Sequence, residues 1–376
     1  MREKLESYFS IIDDTRCQCD ISYKLTDVLI IVMCAVLCNI TKLVDILEFG
    51  EERIDFLKRN FGITEIPSAS TICRIMSIID AEILSLCIVD IMKDLYGTQG
   101  EIIAIDGKVI KSTEKMSSYN KSIHIMTAYL TENGVSLGQL AINEKTNEIP
   151  CMKELLNIID IEGKIITADA MHCQKETIRK IIANKGDYVI QIKGNQGNTS
   201  EDIKLMFNDI KNSNIKEDRE KIEEYEAAEK GHGRIERRIC RVIKDVSWLY
   251  GKEEWEGLRS IFSVERIVEE KGKISYNESY YLSSLEPNAK KLLKTAREHW
   301  KVESMHWLLD VVMNEDSREI QSKNGQKAMN VFSKLAITAH KNYIANLPQK
   351  TKPTIKRNML KCLLNPKNLE MILASL

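Results

Sequence analysis

The sequence predicts an α/β protein with a mixed sheet and flanking helices, an all-α module at the N-terminal end, and a mostly β insertion. Three patterns support this fold class. About 95 residues at the start are helical in pattern, short apolar runs alternate with helical stretches after Glu101, and charged strand-like runs occupy residues 198–285. Strands that alternate with helices favour a sheet covered by helices.

Length and composition limit the broad class of protein. The chain has 376 residues, which suggests two or three domains, because single cores stop growing at roughly 250–300 residues. A hydrophobic content of 43% and a charged content of 29% are typical of a soluble globular protein and argue against long disorder. The net charge of −1 gives no overall attraction to nucleic acid, so any such surface must be local.

One local basic surface is the C-terminal end of the chain. Seven Lys/Arg residues lie between Lys341 and Leu376, against one acid, Glu370. This excess indicates either a surface for nucleic acid or an ordinary solvated face, and the composition leaves both open.

Cysteine usage and hydropathy predict a reduced, cytosolic protein. The ten cysteines are scattered, the Cys17/Cys19 pair does not have a usual zinc spacing, and no pair of CxxC motifs exists. The N-terminus has no signal-peptide pattern. The most apolar run, Val28–Ile40, has 13 residues, which is too short to span a bilayer and predicts a buried core helix.

The N-terminal module, residues 1–95, is expected to be all α. Asp27 is expected to cap the helix that enters the apolar run Val28–Ile40. A Pro-Ser-Ala-Ser-Thr segment, residues 67–71, supplies capping residues for a second strongly apolar helical stretch, residues 72–92.

From Glu101 the pattern predicts strand, strand, strand, helix, strand, helix, strand. The first strand, residues 101–108, is expected to stop at a turn formed by Asp106 and Gly107. Asn133-Gly134 predicts a hairpin between the next two strands, which disfavours a fully parallel doubly wound sheet. The remaining elements are a helix (151–163), a strand (164–171), a helix (174–186) and a strand (187–194).

The following region, residues 198–285, is predicted to be a mostly β insertion. Three runs alternate in a strand-like way but carry many charges, which is typical of strands with one solvated face: residues 236–250, 258–270 and 274–285. The pattern becomes helical again from Ala289, and helices are expected to continue to the end of the chain.

Two carboxylates follow two of the predicted core strands. Asp106 and Asp169 each end an apolar run, and functional groups gather beyond the carboxyl ends of strands in open α/β sheets. Two carboxylates placed together repel unless a cation lies between them, and hard oxygen ligands suit Mg²⁺ or Mn²⁺. The structural alternative is that Asp106 is only a turn residue and Asp169 only a helix cap.

A third carboxylate, Glu303, lies in a helical stretch with a polar face. His299, Glu303, His306 and Asp310 follow one another at spacings of four, three and four residues, so they share one side of the helix. This face suits a third carboxylate ligand, and the alternative is a surface face with internal pairs. A zinc site from His299 with Glu303 or His306 lacks a further His or Cys ligand nearby.

Six segments of the chain, in order, resemble the H repeat-associated transposases, a group of bacterial insertion-sequence transposases with an RNase H-like DDE core. They span nearly the whole chain and include the helical N-terminal module. The broader superfamily often has Tyr, Arg and Lys around the Glu, and here Ala296, His299 and Asp310 stand at those positions; Ser304 stands where Asn is common in the subgroup. The six segments are Ile66–Asp80, Ile103–Thr113, Ile166–Thr177, Asp187–Gln196, Glu229–Arg238 and Arg297–Glu319.

The resemblance implies that Asp106, Asp169 and Glu303 form a DDE triad that binds two Mg²⁺ or Mn²⁺ ions. It implies hydrolysis at the element's ends and attack of the freed 3′-OH on target DNA, and therefore terminal inverted repeats and target DNA as partners. A homodimer on paired ends, and a cytoplasmic, nucleoid-associated location, follow by analogy. The expected domains are a helical module (1–95), an RNase H-like catalytic core (96–197 and 286–345), the insertion (198–285) and a basic tail (346–376).

Most DNA contacts are expected to reach phosphates, from basic or amide side chains around the triad. For each group the alternative is an ordinary surface turn or, for His172, a plain helix-start residue. Arg234, Arg237 and Arg238 are expected in a mobile, basic loop of the insertion. The full set is Lys108, Lys111, His172, Lys193, Asn195, Gln196, Arg234, Arg237, Arg238 and His299.

Two other functions compete with a transposase. A decayed or co-opted DNA-binding protein without catalysis is disfavoured by the intact triad, because drift would remove the acids first with little cost to folding. A stand-alone RNase H-like nuclease would share the triad. The large insertion and the helical module favour recognition of DNA ends over simple hydrolysis, although a shared fold alone does not separate the two.

Overall fold

The computed structural model describes residues 2–17, 21–115, 122–142, 148–212, 221–231 and 233–376. The chain divides into two compact units. The first unit contains Met1–Gln99, Gly107–Lys145 and Glu303–Leu376, and the second contains Gly100–Asp106 and Thr146–Val302.

The described strands belong to one sheet with parallel and antiparallel pairs, and the sequence predicts the mixed pairing of its core strands. Their order is β3-β2-β1-β4-β5-β9-β8-β7-β6. The pairs β1/β4 and β4/β5 are parallel, whereas β2/β3, β5/β9 and the pairs among β6–β9 are antiparallel. The strands are β1 (Ile102–Ile110), β2 (Ile123–Leu130), β3 (Val135–Ala141), β4 (Ile165–Ala168), β5 (Asp187–Ile192), β6 (Ile222–Gly231), β7 (Arg234–Ile243), β8 (Ser260–Glu270) and β9 (Lys273–Ser283).

The N-terminal part of the first unit is helical, as expected. Ser68 caps α5 by accepting a hydrogen bond from the Thr71 amide, and Asp80 caps α6 in the same way. The helices are α1 (Arg2–Phe9), α2 (Leu25–Leu37), α3 (Leu43–Glu52), α4 (Ile54–Phe61), α5 (Ala69–Ile78) and α6 (Ala81–Tyr96).

Helix α2 is buried, as its apolar run predicts, but Asp27 does not cap it. Every residue from Val28 to Leu37 is buried. The helix begins two residues before Asp27, after Lys24, and the Asp27 carboxylate instead accepts a hydrogen bond from Arg2 at 2.8 Å. In the described part of the chain, no helix is both long and apolar enough to cross a membrane.

Helices in the second unit flank the sheet. Helix α7 ends at Ile158, five residues before the predicted end at Gly163, and Gly163 lies in a later turn with a φ of +69°. Helix α9 falls within the predicted β insertion, and its buried Ile203, Phe207 and Ile210 recur at helical spacing. The bounds are α7 (Glu148–Ile158), α8 (Lys175–Ala183), α9 (Gly197–Asn212) and α10 (Ala289–Glu298).

The end of the chain is helical to Ala374, which confirms the expected continuation. The basic residues beyond Lys341 are exposed on the surface of this part of the first unit. Helix α11 begins in the second unit and lies mostly in the first. The bounds are α11 (Trp300–Val311), α12 (Lys323–Ala345), α13 (Ile355–Leu364) and α14 (Pro366–Ala374).

The Asn133-Gly134 hairpin is confirmed in the first unit. β2 and β3 pair antiparallel from Leu130↔Val135 onward, and Gly134 adopts a φ of +75°. Asn133 stabilises the turn, because its Oδ1 accepts from the Val135 amide at 3.3 Å and its Nδ2 donates to the Tyr96 carbonyl at 3.1 Å.

The turn predicted at Asp106-Gly107 is wrong. Strand β1 continues through both residues to Ile110, and Gly107 does not adopt a positive φ. The strand continues because Ile110, 1% exposed, packs against Ile123 and Ile125 of β2. The Asp-Gly pair therefore lies inside β1, and Asp106 is in the middle of the strand rather than at its end.

The charged strands of the second unit extend the core sheet instead of forming a separate body. β9 pairs with β5, and β6, which the sequence pattern does not reveal, pairs with β7 along its full length. On one face, α10 packs over a core that includes Ile102, Phe262 and Leu292. The predicted strand-rich character of residues 198–285 is therefore confirmed only from Ile222 onward.

Candidate active site

Asp106 and Asp169 lie side by side in the second unit. β1 and β4 run parallel, and their last paired residues are Ile105 and Ala168. Asp106 follows Ile105 within β1, and Asp169 follows Ala168 directly after β4 ends, so the register brings the two residues to neighbouring positions. Asp106 is half-buried, whereas the Asp169 side chain is 54% exposed. The pair combines negative charge with access from solvent.

The Asp169 carboxylate is not used as a helix cap. β4 has only four residues and leads into a short 3₁₀ turn, Ala170–His172, at whose N-cap position Asp169 stands. Its side chain makes no capping hydrogen bond, and the turn closes through its backbone carbonyl, 2.9 Å from the His172 amide. The alternative that Asp169 is only a helix cap therefore does not explain the carboxylate at this position.

His299 holds the Asp169 carboxylate from the other side. Its Nε2 lies 3.6 Å from Asp169 Oδ1, and its Nδ1 lies 3.1 Å from Oγ1 of Thr167, a buried residue of β4. The nearby His299 imidazole keeps the pKa of Asp169 below its ordinary value of 3.8, although partial burial acts in the opposite direction. Lys193 lowers the same pKa through its charge. Asp169 is therefore ionised at neutral pH.

A cavity of about 470 Å³ opens beside Asp169, with Lys193 and Asn195 in its wall. The structure thus brings two of the predicted DNA-contacting residues to the carboxylate. The amide group of Asn195 donates to the Ala170 carbonyl at 2.7 Å, and that of Gln196 donates to the Cys173 carbonyl at 2.7 Å. Both amides therefore brace the segment after Asp169, while Lys193 is exposed at the cavity.

His172 and Lys108 are placed differently from the prediction that they contact DNA. His172 is 1% exposed, with its Nε2 3.3 Å from the Glu148 carboxylate, so its ring is not available to a ligand. In the first unit, the Lys108 side chain is 10% exposed, and its Nζ lies 2.7 Å from Asp310 and 2.9 Å from the buried Glu315. Both residues are structural groups in this arrangement.

Lys111 differs from Lys108 although both follow Asp106. Its side chain is 71% exposed and its Nζ lies 3.9 Å from Asp316. A loose contact at the surface leaves this ammonium group accessible to a phosphate.

The arginines expected in a mobile basic loop lie on strand β7. Gly231 pairs with Arg234 across a tight hairpin, and the arginines that follow are part of the ladder. Arg237 donates to Glu226 at 2.8 Å, and Arg238 is paired with Glu236, so acids of the same sheet neutralise much of their charge. The loop prediction is therefore wrong, because the cross-strand pairing orders these residues.

Glu303 lies on α11 within the first unit, four residues after His299 in the chain. Within the described residues, no group of three or more His, Cys, Asp or Glu side chains is arranged to hold a metal ion. Asp106 and Asp169 are the two predicted carboxylates that the β1/β4 register brings to neighbouring positions. This pair fits Mg²⁺, which proteins usually bind through one or two carboxylates together with water and substrate phosphates.

Thr167 and Glu148 are the site residues that sequence reasoning missed. Thr167 orients His299, and Glu148 contacts His172. The one available signal was a threonine two residues before Asp169 within an otherwise apolar strand, which indicates a polar partner from another element. Glu148, at the start of α7, carried no such signal.

The chain matches the sequence models of one protein family. The family model described as "Transposase DDE domain" matches residues 97–339, and the model described as "DDE_Tnp_1-associated" matches residues 6–92. The chain is 36% identical over 372 residues to the "H repeat-associated putative transposase YhhI" of Escherichia coli (strain K12), covering 95% of this chain and 97% of the relative.

A second relative and a solved structure also match the chain. The chain is 34% identical over 381 residues to the "Putative transposase YncI" of Escherichia coli O157:H7, covering 99% of this chain and 95% of the relative. A piggyBac transposase in a synaptic complex with hairpin DNA matches with a TM-score of 0.46 and 12% identity over 99% of this chain and 78% of that one. The family models and the full-length relatives show that the chain belongs to the DDE transposases, together with the H repeat-associated proteins.

Proposed function

We propose that this protein cuts DNA at the ends of an insertion sequence and joins the freed 3′-OH to target DNA. The observation that supports the proposal is the register of β1 and β4, in which Asp106 and Asp169 directly follow the last paired residues, Ile105 and Ala168. Membership of the DDE transposases supports a nuclease and strand-transfer activity.

Asp106, Asp169 and Glu303 are proposed to bind two divalent cations, Mg²⁺ or Mn²⁺. Such ions activate a water molecule or a 3′-OH and stabilise the negative charge on the leaving oxygen. The ionised Asp169 and its neighbour Asp106 provide the negative charge that attracts the cations. The assignment of Glu303 rests on the family pattern and on its position four residues after His299.

The other residues of the site position these groups and the DNA. His299 orients the Asp169 carboxylate through its contact with Thr167, and Asn195 and Gln196 hold the segment that follows Asp169. Lys193, exposed at the cavity, is proposed to contact a DNA phosphate. Lys111 is proposed to do the same.

The proposed partners are the terminal inverted repeats of the element and the target DNA, with two copies of the chain acting on paired ends. DNA as substrate also implies association with the nucleoid. The RNase H-like identity of the core in residues 96–197 and 286–345 is part of the same proposal.

A cleavage and strand-transfer assay tests the proposal. The substrate is DNA from the sequence flanking the gene, with Mg²⁺ or Mn²⁺, and the variants are Asp106→Asn and the control Asp160→Asn, an exposed aspartate of the second unit. Metal-dependent release of a 3′-OH and its joining to target, lost only in Asp106→Asn, is the expected result. Cleavage without joining would indicate a nuclease, and DNA binding without cleavage would indicate a non-catalytic binder; either result contradicts the proposal.

A further inference from the structure

A broad groove of about 830 Å³ lies in the second unit, away from the cavity beside Asp169. One wall is helix α10 and the residues that follow it, and the other includes Tyr225 of β6 and Ile102 at the start of β1. Asp106 is at the opposite end of the β1/β4 pairing from Ile102. The groove is therefore a feature distinct from the carboxylate pair.

The lining of this groove is strongly basic, although the whole chain has a net charge of −1. Two acids, Glu101 and Glu298, lie among its lining residues. The five cations of the lining are Lys290, Lys291, Lys294, Arg297 and Lys301. This excess concentrates positive potential in a concave surface, where its effect on an anionic partner is largest.

Two of these cations are not neutralised. Of the other three, Lys291 lies 3.8 Å from Glu101, Lys301 lies 2.6 Å from Glu298, and Arg297 lies 2.7 Å from Glu229. Lys290 and Lys294 are exposed, and neither has an ion-pair partner in the part of the chain that the structure describes; Lys290 lies 6.0 Å from the centre of the Tyr225 ring.

The spacing of these lysines suits an extended anion. Lys290 and Lys294 are four residues apart on α10, so they project from the same side of the helix one turn apart. Helix α10 ends at Glu298, next to His299, whose ring contacts Asp169. A polyanion that follows this helix is thus led towards the carboxylate pair within the same unit.

We propose that this groove binds the phosphate backbone of duplex DNA, as a contact surface separate from the active site. The inference rests on the proposed function for its biological meaning, since a transposase must hold DNA beyond the bond that it cuts. Duplex DNA fits the groove because its charge is continuous along the backbone and because lysines contact phosphates without regard to sequence. Lys290 and Lys294 supply two of these contacts.

The test compares Lys290→Gln/Lys294→Gln with a matched control, Lys180→Gln/Lys204→Gln, which changes two lysines on α8 and α9. Each protein is titrated with a labelled duplex of unrelated sequence, in EDTA, over a series of KCl concentrations. The groove variant is expected to bind more weakly at every salt concentration. The slope of log affinity against log salt should fall by about 2, which is about 1 for each lysine that no longer neutralises a phosphate. The control is expected to match the wild type.

Equal affinity and equal slope for the groove variant and the wild type would overturn the inference, as would a wild-type protein that binds no duplex. If the variant keeps its DNA binding but no longer binds a polyglutamate peptide, the groove belongs to an acidic protein segment instead. Thermal unfolding of all variants verifies that they are folded. Because the titration contains no divalent cation, its result is independent of the cleavage assay, and either proposal can fail while the other stands.

Discussion

His299 determines how Asp169 presents its carboxylate. The imidazole contacts Asp169 through Nε2 and Thr167 through Nδ1, so its orientation is fixed by the strand that carries the acid. Groups that orient metal-binding carboxylates typically contribute 10–100-fold to metal affinity or activity. We therefore expect His299→Ala to weaken Mn²⁺ binding by about 10–100-fold, as measured by calorimetric titration of the protein without DNA.

His306→Ala is the control for this prediction, since His306 lies two helical turns further along α11. It should leave the Mn²⁺ affinity unchanged. Equal affinities for His299→Ala and the wild type would show that the His299 contact does not support cation binding, whatever its effect on stability.

Lys334 is a buried lysine whose charge is costly to the fold. It is 4% exposed, and its Nζ donates to Thr127 Oγ1 at 2.7 Å and to Gln139 Oε1 at 2.5 Å. Burial lowers the pKa of Lys334 from 10.5 to about 7. Between these values the unfolded chain binds a proton that the folded chain does not, so this residue's contribution to stability rises as pH increases from about 7 towards 10.

The stability of Lys334→Met relative to the wild type should therefore be highest at pH 7 and below. We expect the difference in unfolding temperature, variant minus wild type, to decrease as pH rises from 7 to 9.5, as followed by calorimetry. Lys327→Met, on the same helix with a side chain that is 23% exposed, is the control and is measured at each pH beside Lys334→Met. A constant difference for Lys334→Met would mean that Lys334 keeps its proton throughout this range.

Individual residues show how far the sequence identifies a site. Asp106 and Asp169 could be selected because each follows an apolar run, a pattern that local sequence carries. The burial of His172 and Lys108 could not be inferred, because their partners Glu148 and Glu315 are distant in sequence. Nearness to a catalytic acid in the chain therefore did not indicate exposure to a ligand.

At the scale of elements, Lys108 ties strand β1 to the segment that follows α11. Its Nζ contacts Asp310 of that helix and Glu315, which is fully buried. Breaking a buried pair leaves an uncompensated charge and usually costs about 3–5 kcal/mol. We expect Lys108→Met to lower the free energy of unfolding by about 3 kcal/mol, the lower end of this range. The cost is at the lower end because Asn330 still donates a hydrogen bond to the Glu315 carboxylate at 2.8 Å.

A double variant separates this pair from a general loss of packing. Lys108→Met/Glu315→Gln should be less destabilised than the sum of the two single variants, with a coupling of about 0.5–3 kcal/mol measured by denaturant unfolding. Lys111→Met, which removes an exposed lysine, should change stability by less than about 0.5 kcal/mol. Additive effects of Lys108→Met and Glu315→Gln would contradict the proposed tie.

The β2/β3 hairpin depends on glycine at position 134 for two reasons. Its φ of +75° costs a residue with a side chain about 1–2 kcal/mol, and a Cβ there would lie 2.9 Å from the hydroxyl oxygen of the buried Tyr129. Gly62, in the same unit, has a φ of +67° but only an ordinary contact at 3.7 Å. Gly134→Ala should therefore be more destabilising than Gly62→Ala by about 1 kcal/mol or more in denaturant unfolding.

Two dipeptides of similar composition illustrate the limits of turn signals. Asn133-Gly134 forms the predicted hairpin turn, whereas Asp106-Gly107 continues as a strand. Ile110, three residues after Gly107, has its partners on β2, which only the assembled sheet reveals. Strand β6 escaped prediction for a related reason: its many glutamates are stabilised by the arginines of β7, a long-range property.

For the whole molecule, the net charge of −1 conceals an uneven distribution. On the outer strands of the sheet, arginines and glutamates pair across neighbouring strands, as Arg241 does with Glu224 and Glu265. On α10, Lys290 and Lys294 remain without such partners among the residues that the structure describes. Sequence composition predicted that any surface for nucleic acid must be local, but the tertiary pairing of charges determines which basic residues remain available.

Cation binding at the carboxylate pair should also be visible in the stability of the whole molecule. A ligand that binds only the folded state stabilises it by RT ln(1 + [L]/Kd), about 2.7 kcal/mol when its concentration is 100 times Kd. We expect Mn²⁺ to raise the unfolding temperature of the wild type and of Asp160→Asn, and EDTA to reverse the rise. Asp106→Asn should show little or no rise, because it removes one of the two adjacent carboxylates. An equal rise in Asp106→Asn would place the dominant cation site elsewhere in the protein, even if the same variant had lost cleavage.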